Sequence, residues 1–506
     1  MNALVAVPVV LPLLAAAVSL LLSPFPVAQR VLGIAVVTGV LACAVVLLVH
    51  VDATGPLAVA AGGWAPPSGI GLVVDRLAAL VLVLASAVVL VVLVYAVGEG
   101  SAEHRESNVP SVFHPTYLVL LAGICLVLVT GDLFTLFVGF ETMLMASYVL
   151  MTLGATAHRV RSGTTYVVTS LTASLLLLTT VGLVYGTTGT VSLAQLPGAM
   201  AEVDGGVRAV LGLLLLLALG TKAALVPLHW WLPDSYPTAP APVTAVFAAL
   251  LTKVAVYAVV RTQTLLFPRD EPWPLLLVLA ALTMLVGVLG ALVQDDVDRA
   301  LAFVLVSHIG FMLLGLALSS AAGLRATVVY LAHHIVVLVA FFLVAGLAER
   351  ERGTTSLRGL GGLASSAPLV AGLMLVPALS LGGVPPLDGF VAKLAVLQAT
   401  VATDGVGPAV LAVVAVLTSL LTLAATSRVW VGACWGEAPE RPRTPPEARR
   451  GVAVATMRTA AATAVAGTLA VAVLAGPLSA LAQRAADDLR EPLAYRQALL
   501  GSGTRP

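Results

Sequence analysis

Val207–Arg261 reads VRAVLGLLLLLALGTKAALVPLHWWLPDSYPTAPAPVTAVFAALLTKVAVYAVVR, and two lysines, Lys222 and Lys253, stand deep inside its apolar runs. Between them Pro227-Leu-His-Trp-Trp-Leu-Pro233-Asp interrupts the pattern, as a spanning helix reads when it stops at mid-depth and restarts. A buried charge beside a break in a spanning helix points to ion transport.

The rest of the chain agrees with a membrane setting. Of 506 residues 59% are hydrophobic and 10% charged, and the mean hydropathy is +1.05. A spanning helix needs about 20 apolar residues to cross roughly 30 Å of hydrocarbon, and such runs recur from end to end. Long Leu/Val/Ala runs, not short alternating strands, make this an all-α polytopic membrane protein and not a closed barrel. A net charge of +1 without a basic run gives no sign of nucleic acid. Cys43, Cys125 and Cys434 lie in or beside apolar segments and share no ligand spacing, so they read as small core residues. The start, MNALVAVPVVLPLLAAAVSLLL, has no basic stretch before its apolar run and reads as a retained first span.

Of 26 basic residues only Lys222, Lys253 and Lys393 are lysines, and each lies within an apolar stretch, while the ordinary surface cations are all arginines. Arginine stays protonated; a buried lysine is able to release its proton near neutral pH. That distribution favours proton handling over anchoring.

Fourteen spans are expected, with ends good to a few residues: Ala3–Leu22, Val31–Val51, Leu72–Val97, Val112–Thr130, Leu133–Gly154, Gly163–Thr187, Val207–Val226, Val243–Val260, Trp273–Val293, Ala300–Ser319, Ala326–Ala348, Pro368–Gln398, Pro408–Cys434 and Gly451–Leu474. Arg30, Arg105, Arg159, Arg161, Arg299, Arg350, Arg352, Arg358, Arg441, Arg443, Arg449 and Arg450 fall in alternate loops, whereas Asp52–Ile70, Gly131–Asp132 and Ala402–Gly407 carry none. This bias puts the basic loops in the cytoplasm and both termini outside, with Arg208, Arg261, Arg269 and Arg325 on the minority side. The longest polar stretch, Gly436–Arg450, is a linker, and the residues after Leu474 read as a weak amphipathic tail.

The seventh span stops at Pro227, and the twelfth contains Leu381-Gly-Gly-Val-Pro385-Pro386-Leu-Asp-Gly389. Proline removes a backbone donor and clashes with the preceding turn, so each becomes two half-helices with carbonyls freed at depth. Five spans separate the breaks, and an odd offset reverses direction, so spans four to eight and nine to thirteen are expected to form two inverted five-helix repeats. The expected division is 1–111, about three peripheral helices; 112–262 and 263–434, the repeats; and 435–506, the linker, last span and tail.

Glu141 lies mid-span, where an unpaired carboxylate is expensive unless a cation such as Lys222 sits beside it. A Glu–Lys pair acts as a switch, because lysine holds its proton more tightly with the carboxylate near than with it withdrawn; the alternative is a static ion pair holding helices together. Lys253, near the middle of its span, is next along such a line, its stem short for reaching water. Lys393, eight residues after Pro385, is read as the counterpart of Lys222, five before Pro227. This favours a lateral line of sites over one perpendicular pore. His308, His333 and His334 are the other mid-span ionisable groups, each alone more often a hydrogen-bonded core residue than a relay. Adjacent positions 333 and 334 differ by about 100° of helix face, so at most one points into a given path. His229 is ambiguous, and Trp230 and Trp231 read as packing. No phosphate loop, dinucleotide fingerprint or iron–sulfur cysteine set is present, so no cofactor or metal is expected.

Three segments carry a resemblance: Gly131-Asp-Leu-Phe-Thr-Leu-Phe-Val-Gly-Phe-Glu141; Thr221-Lys-Ala-Ala-Leu-Val-Pro-Leu-His-Trp-Trp-Leu-Pro-Asp234 with Ala239-Pro-Ala-Pro242; and Gly382-Gly-Val-Pro-Pro-Leu-Asp-Gly-Phe-Val-Ala-Lys393. Together they resemble the antiporter-like proton-translocating subunits shared by respiratory complex I and Mrp-type multisubunit cation/proton antiporters. The resemblance covers about Val112 to Trp430. Leu250–Tyr257, His333-His334-Ile335 and Phe342–Arg350 look most like the D-type subunit of Mrp.

The resemblance implies fourteen helices, a central hydrophilic axis and a place among other subunits in the cytoplasmic membrane of a prokaryote, with protons and sodium as the ions moved. It casts Glu141 as the carboxylate modulating Lys222, Lys253 as the central carrier, His334 with His333 as the next station, and Lys393 as the exit lysine. Leu338 departs from it, standing where the D-type pattern usually has a lysine four residues after the second histidine. His308 in Ser307-His-Ile-Gly310 looks as much like the complex I version. The rival readings are a proton-pumping subunit of a quinone-linked NADH dehydrogenase or related hydrogenase, and a membrane scaffold whose lysines are dispensable.

Overall fold

The computed structural model describes residues 1–64, 69–100, 112–153, 157–437 and 452–501. Arg105, Arg441, Arg443, Arg449, Arg450 and most of the expected linker lie outside them. Apart from one antiparallel hairpin, Leu57–Ala60 against Gly71–Val74, and isolated bridges, the described elements are helices. Twelve are long and apolar enough to cross a membrane, or up to thirteen with a bent pair counted as one span. The two expected spans outside the twelve are Phe113–Val129, only 17 residues long, and the segment from Pro368, whose first half ends at Gly382.

Outer helices keep apolar side chains exposed, among them Val168 and Leu175, and Val413 and Leu420. Lipid tails are the solvent that suits such surfaces. The apolar stretch of Ala241–Leu265 is wholly buried, and those of Val297–Ala317 and Ala321–Arg352 nearly so. Lys253 and all three expected histidine stations sit on these central helices.

The expected repeat has a backbone signature that no side-chain motif announced. Asp132 bridges Ser192, and Asp296 bridges Ser356, the second pair 164 positions after the first at both ends. The same offset relates the hydrogen bonds Leu133 N to Val191 O and Val297 N to Thr355 O, and Leu193 N to Gly131 O and Leu357 N to Asp295 O. Each aspartate then starts a helix, accepting from the backbone N–H of Thr135 at 2.6 Å or of Arg299 at 2.9 Å. It also relates two close helix crossings. A Cβ on Gly123 would stand 2.5 Å from Met143 N, and one on Gly287 would stand 2.3 Å from Ser307 N. Glycine at both places lets backbones touch where side-chain bulk would part them.

The two ladders lie at opposite ends of the bundle. The first continues the hairpin through Leu72 and Thr130, beside the buried pair of Asp75 with Arg261, at the end of Ala241–Leu265. The second is tied by Arg299 to Asp234, just before that helix begins. One five-helix unit is therefore turned over relative to the other. Asn2–Ala6 and Leu493–Leu500 both pack on the hairpin, so both described ends of the chain share one face.

Two readings need correction on this face. Arg261 is not a loop cation: both its terminal nitrogens donate to Asp75 at 2.7 Å, it is 6% exposed, and its guanidinium lies 4.8 Å from the Tyr495 ring centroid. Nor is the tail weak. Ala475–Arg490 buries Ala482, Ala485, Ala486 and Leu489, and its Asp488 and Arg484 close a cluster with Arg76 and Asp52. Removing one partner of a buried pair leaves the other charge uncompensated, at a cost of about 3–5 kcal/mol. Asp75→Ala is thus expected to lower the thermal stability of the detergent-solubilised protein far more than Arg484→Ala, whose partner Asp52 keeps Arg76. Gly287→Leu is expected to disrupt packing in the same assay, since the obstructing atoms are backbone.

Candidate proton path

Both expected breaks are present and close alike. At the first, Leu225 N bonds Gly220 O and Ala224 N bonds Thr221 O; at the second, Val384 N bonds Leu379 O and Gly383 N bonds Ser380 O. Each is a helix end closed through a left-handed residue, Ala224 at φ 60° and Gly383 at φ 83°. The peptide bonds Val226–Pro227 and Pro385–Pro386 are cis. The halves after the breaks differ. Trp231–Ser235 and Tyr236–Thr238 are short turns, whereas Asp388–Val401 is a 14-residue helix.

Lys222, in the last turn before the first break, is 7% exposed. Its Nζ donates to Ser174 Oγ at 2.7 Å, Ser174 Oγ donates to Glu141 Oε1, and Nζ stands 3.9 Å from that oxygen. The expected Glu–Lys pair is therefore real but bridged by a hydroxyl, on a serine that no sequence motif singles out. The Phe140 ring centroid lies 5.3 Å from Nζ, filling another side of the cation. Trp231, read as packing, also donates its indole N–H to Thr221 O at 3.1 Å, sharing that carbonyl with Ala224 N. Trp230 is exposed and His229 partly buried.

Lys253 is fully buried. Its helix widens over Phe247–Leu251 into a π-turn, and Nζ donates to Ala248 O at 2.5 Å and to Thr252 Oγ1 at 3.3 Å. A wider turn releases a carbonyl from the regular ladder, and that carbonyl receives the ammonium. No carboxylate among the described residues bonds to it.

The adjacent histidines diverge as their 100° separation requires. His334 turns to His308, the rings stacked at 5.0 Å; His333 turns to the second break, its Nδ1 2.8 Å from Asp388 Oδ2. Tyr330 stands edge-on to His333 at 5.6 Å and stacks on Phe311 at 5.3 Å. Phe311 in turn lies 5.6 Å from Lys393 Nζ. His334 is within electrostatic reach of Lys253, His308, His333 and Lys393 alike.

Lys393 reaches back over its own break, donating to Leu381 O at 2.7 Å and Gly382 O at 3.2 Å. It borders a cavity of about 180 Å³ lined also by Phe311, Phe390 and Leu420. Alignment of the breaks, 226 with 385, pairs Lys222 with Leu381. The lysines are thus not register counterparts, yet Lys393 delivers its ammonium to the backbone position that Lys222 holds in the first repeat. Leu338 is fully buried in the central helix.

The carboxylate–lysine contact, the π-turn lysine, the histidines and the break lysine are a series of ionisable groups inside the bundle, all but Glu141 buried. Among the described residues, no direct hydrogen bond joins Lys222 to Lys253 or Lys253 to a histidine.

Residues 130–422 match the family model described as NADH:quinone oxidoreductase/Mrp antiporter, transmembrane. The chain is 36% identical to the D-type subunit of the Na(+)/H(+) antiporter of Alkalihalophilus pseudofirmus over 503 residues, covering 99% of this chain and 100% of that one. A chain in the structure of the Mrp complex from Dietzia sp. DQ12-45-1b superposes with a TM-score of 0.91 at 35% identity, covering 99% of this chain and 100% of that one. A chain of respiratory complex I from Thermus thermophilus does so with a TM-score of 0.80 at 25% identity, again covering 99% and 100%. With its two inverted units, two broken spans and buried lysines, this multi-pass membrane chain belongs to the NADH:quinone oxidoreductase/Mrp antiporter transmembrane family.

Proposed function

We propose that this chain is the D-type membrane subunit of a multisubunit Mrp antiporter that exchanges sodium for protons. It is a transporter subunit and not an enzyme, seated in the cytoplasmic membrane of a prokaryote with partner subunits around it. The identity of 36% to a D-type antiporter subunit over nearly the whole chain, against 25% to the complex I chain, favours the antiporter over the dehydrogenase. The basic loops face the cytoplasm and the shared face of the two termini lies outside, a reading supported by the arginine bias. The repeats run over 112–262 and 263–434.

One observation carries the mechanism: Lys222, Ser174 and Glu141 form a single hydrogen-bonded unit inside the bundle. Glu141 offsets the charge of Lys222 and Ser174 keeps the two in register. A proton released from that unit passes to Lys253, then through His308 and His334, with His333, to Lys393. Arginine is a poor substitute at each lysine station because it does not deprotonate.

In membrane vesicles holding the assembled complex, sodium-dependent proton movement is expected to vanish on Lys222→Ala, Glu141→Ala or Lys393→Ala. Lys253→Arg, which keeps the charge but not the exchangeable proton, is expected to fail as Lys253→Ala does. Ser174→Ala is expected to slow transport by about tenfold without abolishing it, since direct contact at short range remains open to the pair. Normal antiport in all three alanine variants would sink the transport-site reading and favour a scaffold.

A further inference from the structure

Asp388 has no part in the path so far, although its carboxylate is buried and touches two elements. Its Oδ2 faces His333 Nδ1 at 2.8 Å, both side chains 1% exposed, and its Oδ1 accepts from Ser380 Oγ on the helix before the break. Gly389 N donates to the same serine hydroxyl at 3.3 Å. A Cβ on Gly389 would stand 1.8 Å from Ser380 O and 3.0 Å from His333 Cε1, so the backbone is pressed against both partners. Asp388 also opens the Asp388–Val401 helix, whose first N–H groups favour a negative charge at that end.

We propose that Asp388 is a positioning residue for proton transfer, which makes His333 the histidine able to carry positive charge; this rests on the transport reading above. An ionised carboxylate only accepts hydrogen bonds, so its contact to Nδ1 keeps the proton of neutral His333 on that nitrogen. The lone pair then lies on Nε2, which is buried and bonds to nothing among the described residues. A proton arriving at Nε2 makes an imidazolium whose charge is balanced 2.8 Å away, and the same proton leaves from Nε2, restoring the neutral ring. His308 and His334 have neither ring nitrogen bonded among the described residues. Holding a full charge on either would leave a buried ion unpaired, which is costly.

The arrangement parallels the first break, where Glu141 accepts from Ser174 and balances Lys222. Here Asp388 accepts from Ser380 and balances His333. Ser380 directly precedes Leu381 and Gly382, whose carbonyls hold Lys393. The histidine, the carboxylate and the exit lysine therefore meet at one turn of backbone.

The test uses the whole complex in vesicles, with rates taken per assembled complex. Asp388→Asn keeps size and an acceptor oxygen but removes the charge, and is expected to slow sodium-dependent proton movement at least about tenfold. Asp388→Glu is expected to recover much of the rate, which a purely steric role would not predict. His333→Gln is expected to slow transport, and adding Asp388→Asn to it to cause no further loss, because the two residues act as a unit. If Asp388→Asn fails to assemble, His333→Gln still decides, since a normal rate in that variant would overturn the proposal. A normal rate in Asp388→Asn, no recovery in Asp388→Glu, or a double variant that loses the product of the two single losses would overturn the proposal. Absence of antiport in the unaltered complex would instead strike the transport reading itself.

Discussion

A backbone carbonyl freed inside hydrocarbon has to find a donor, since an unsatisfied polar group there costs several kcal/mol, and much of the polar interior follows from where this chain frees them. It does so at the two proline breaks and at the π-turn of Ala241–Leu265. At the first break the donors are neutral, Ala224 N and the indole of Trp231, both on Thr221 O. That leaves Lys222 to engage Ser174 and Glu141. At the π-turn and the second break the donor is the lysine itself, on Ala248 O and on Leu381 O and Gly382 O. Charge and irregular backbone thus justify one another: the carbonyls make a buried ammonium tolerable, and the ammonium makes an interrupted helix tolerable. A carbonyl dipole holds a cation less firmly than a carboxylate does, so a lysine held this way is the one readier to yield its proton in the proposed path.

The inverted units place these irregularities. Each starts from a short backbone ladder, at Asp132–Ser192 and at Asp296–Ser356, on opposite ends of the bundle. Inverted units carry their breaks in opposite directions, which in the proposed path sets the ionisable groups in a sideways line. The ion-pair network of Asp52, Arg76, Asp75, Arg261 and Asp488 then ties the ends of four helices together on the face shared by the termini. That network uses arginine, whose fixed charge suits a permanent bond, and the interior uses lysine.

The sequence exposed what depends on local pattern. Unbroken apolar runs mark the spans, Pro227 and Pro385-Pro386 mark the breaks, and Lys222, Lys253 and Lys393 stand out because no other lysine competes with them. Contacts made across long separations left no such trace. Most serines and threonines in these helices bond their own preceding turn, as Thr172 does to Val168 and Thr180 to Leu176, and nothing in the string distinguishes Ser174, which does not. Arg261 finds Asp75 across 186 positions, so position alone assigned it to a loop. Asp388 was in plain view between Pro386 and Gly389 and reads as a turn residue until His333 is seen facing it. Phe113–Val129 has the apolar run of a span but only 17 residues of helix: Thr130 leaves it for an extended bridge to Leu72, and Asp132 caps the next helix.

Leu338 bears on how the second half of the proposed path conducts. A lysine there would add a further basic group to a region in which Asp388 is, among the described residues, the one carboxylate bonded to a histidine station. With leucine in place, the groups between Lys253 and Lys393 are imidazoles, which carry a proton or not as their surroundings dictate. A single counter-charge offsets a single extra proton in a low-dielectric interior, because a second would repel the first without compensation. In the proposed path a proton seated on His333 beside Asp388 therefore disfavours one on His334, which is within electrostatic reach of both His333 and Lys393. Under that constraint protons cannot accumulate along the row. Each advance requires that the group ahead be emptied, and a line of separate buried sites then behaves as one coupled path.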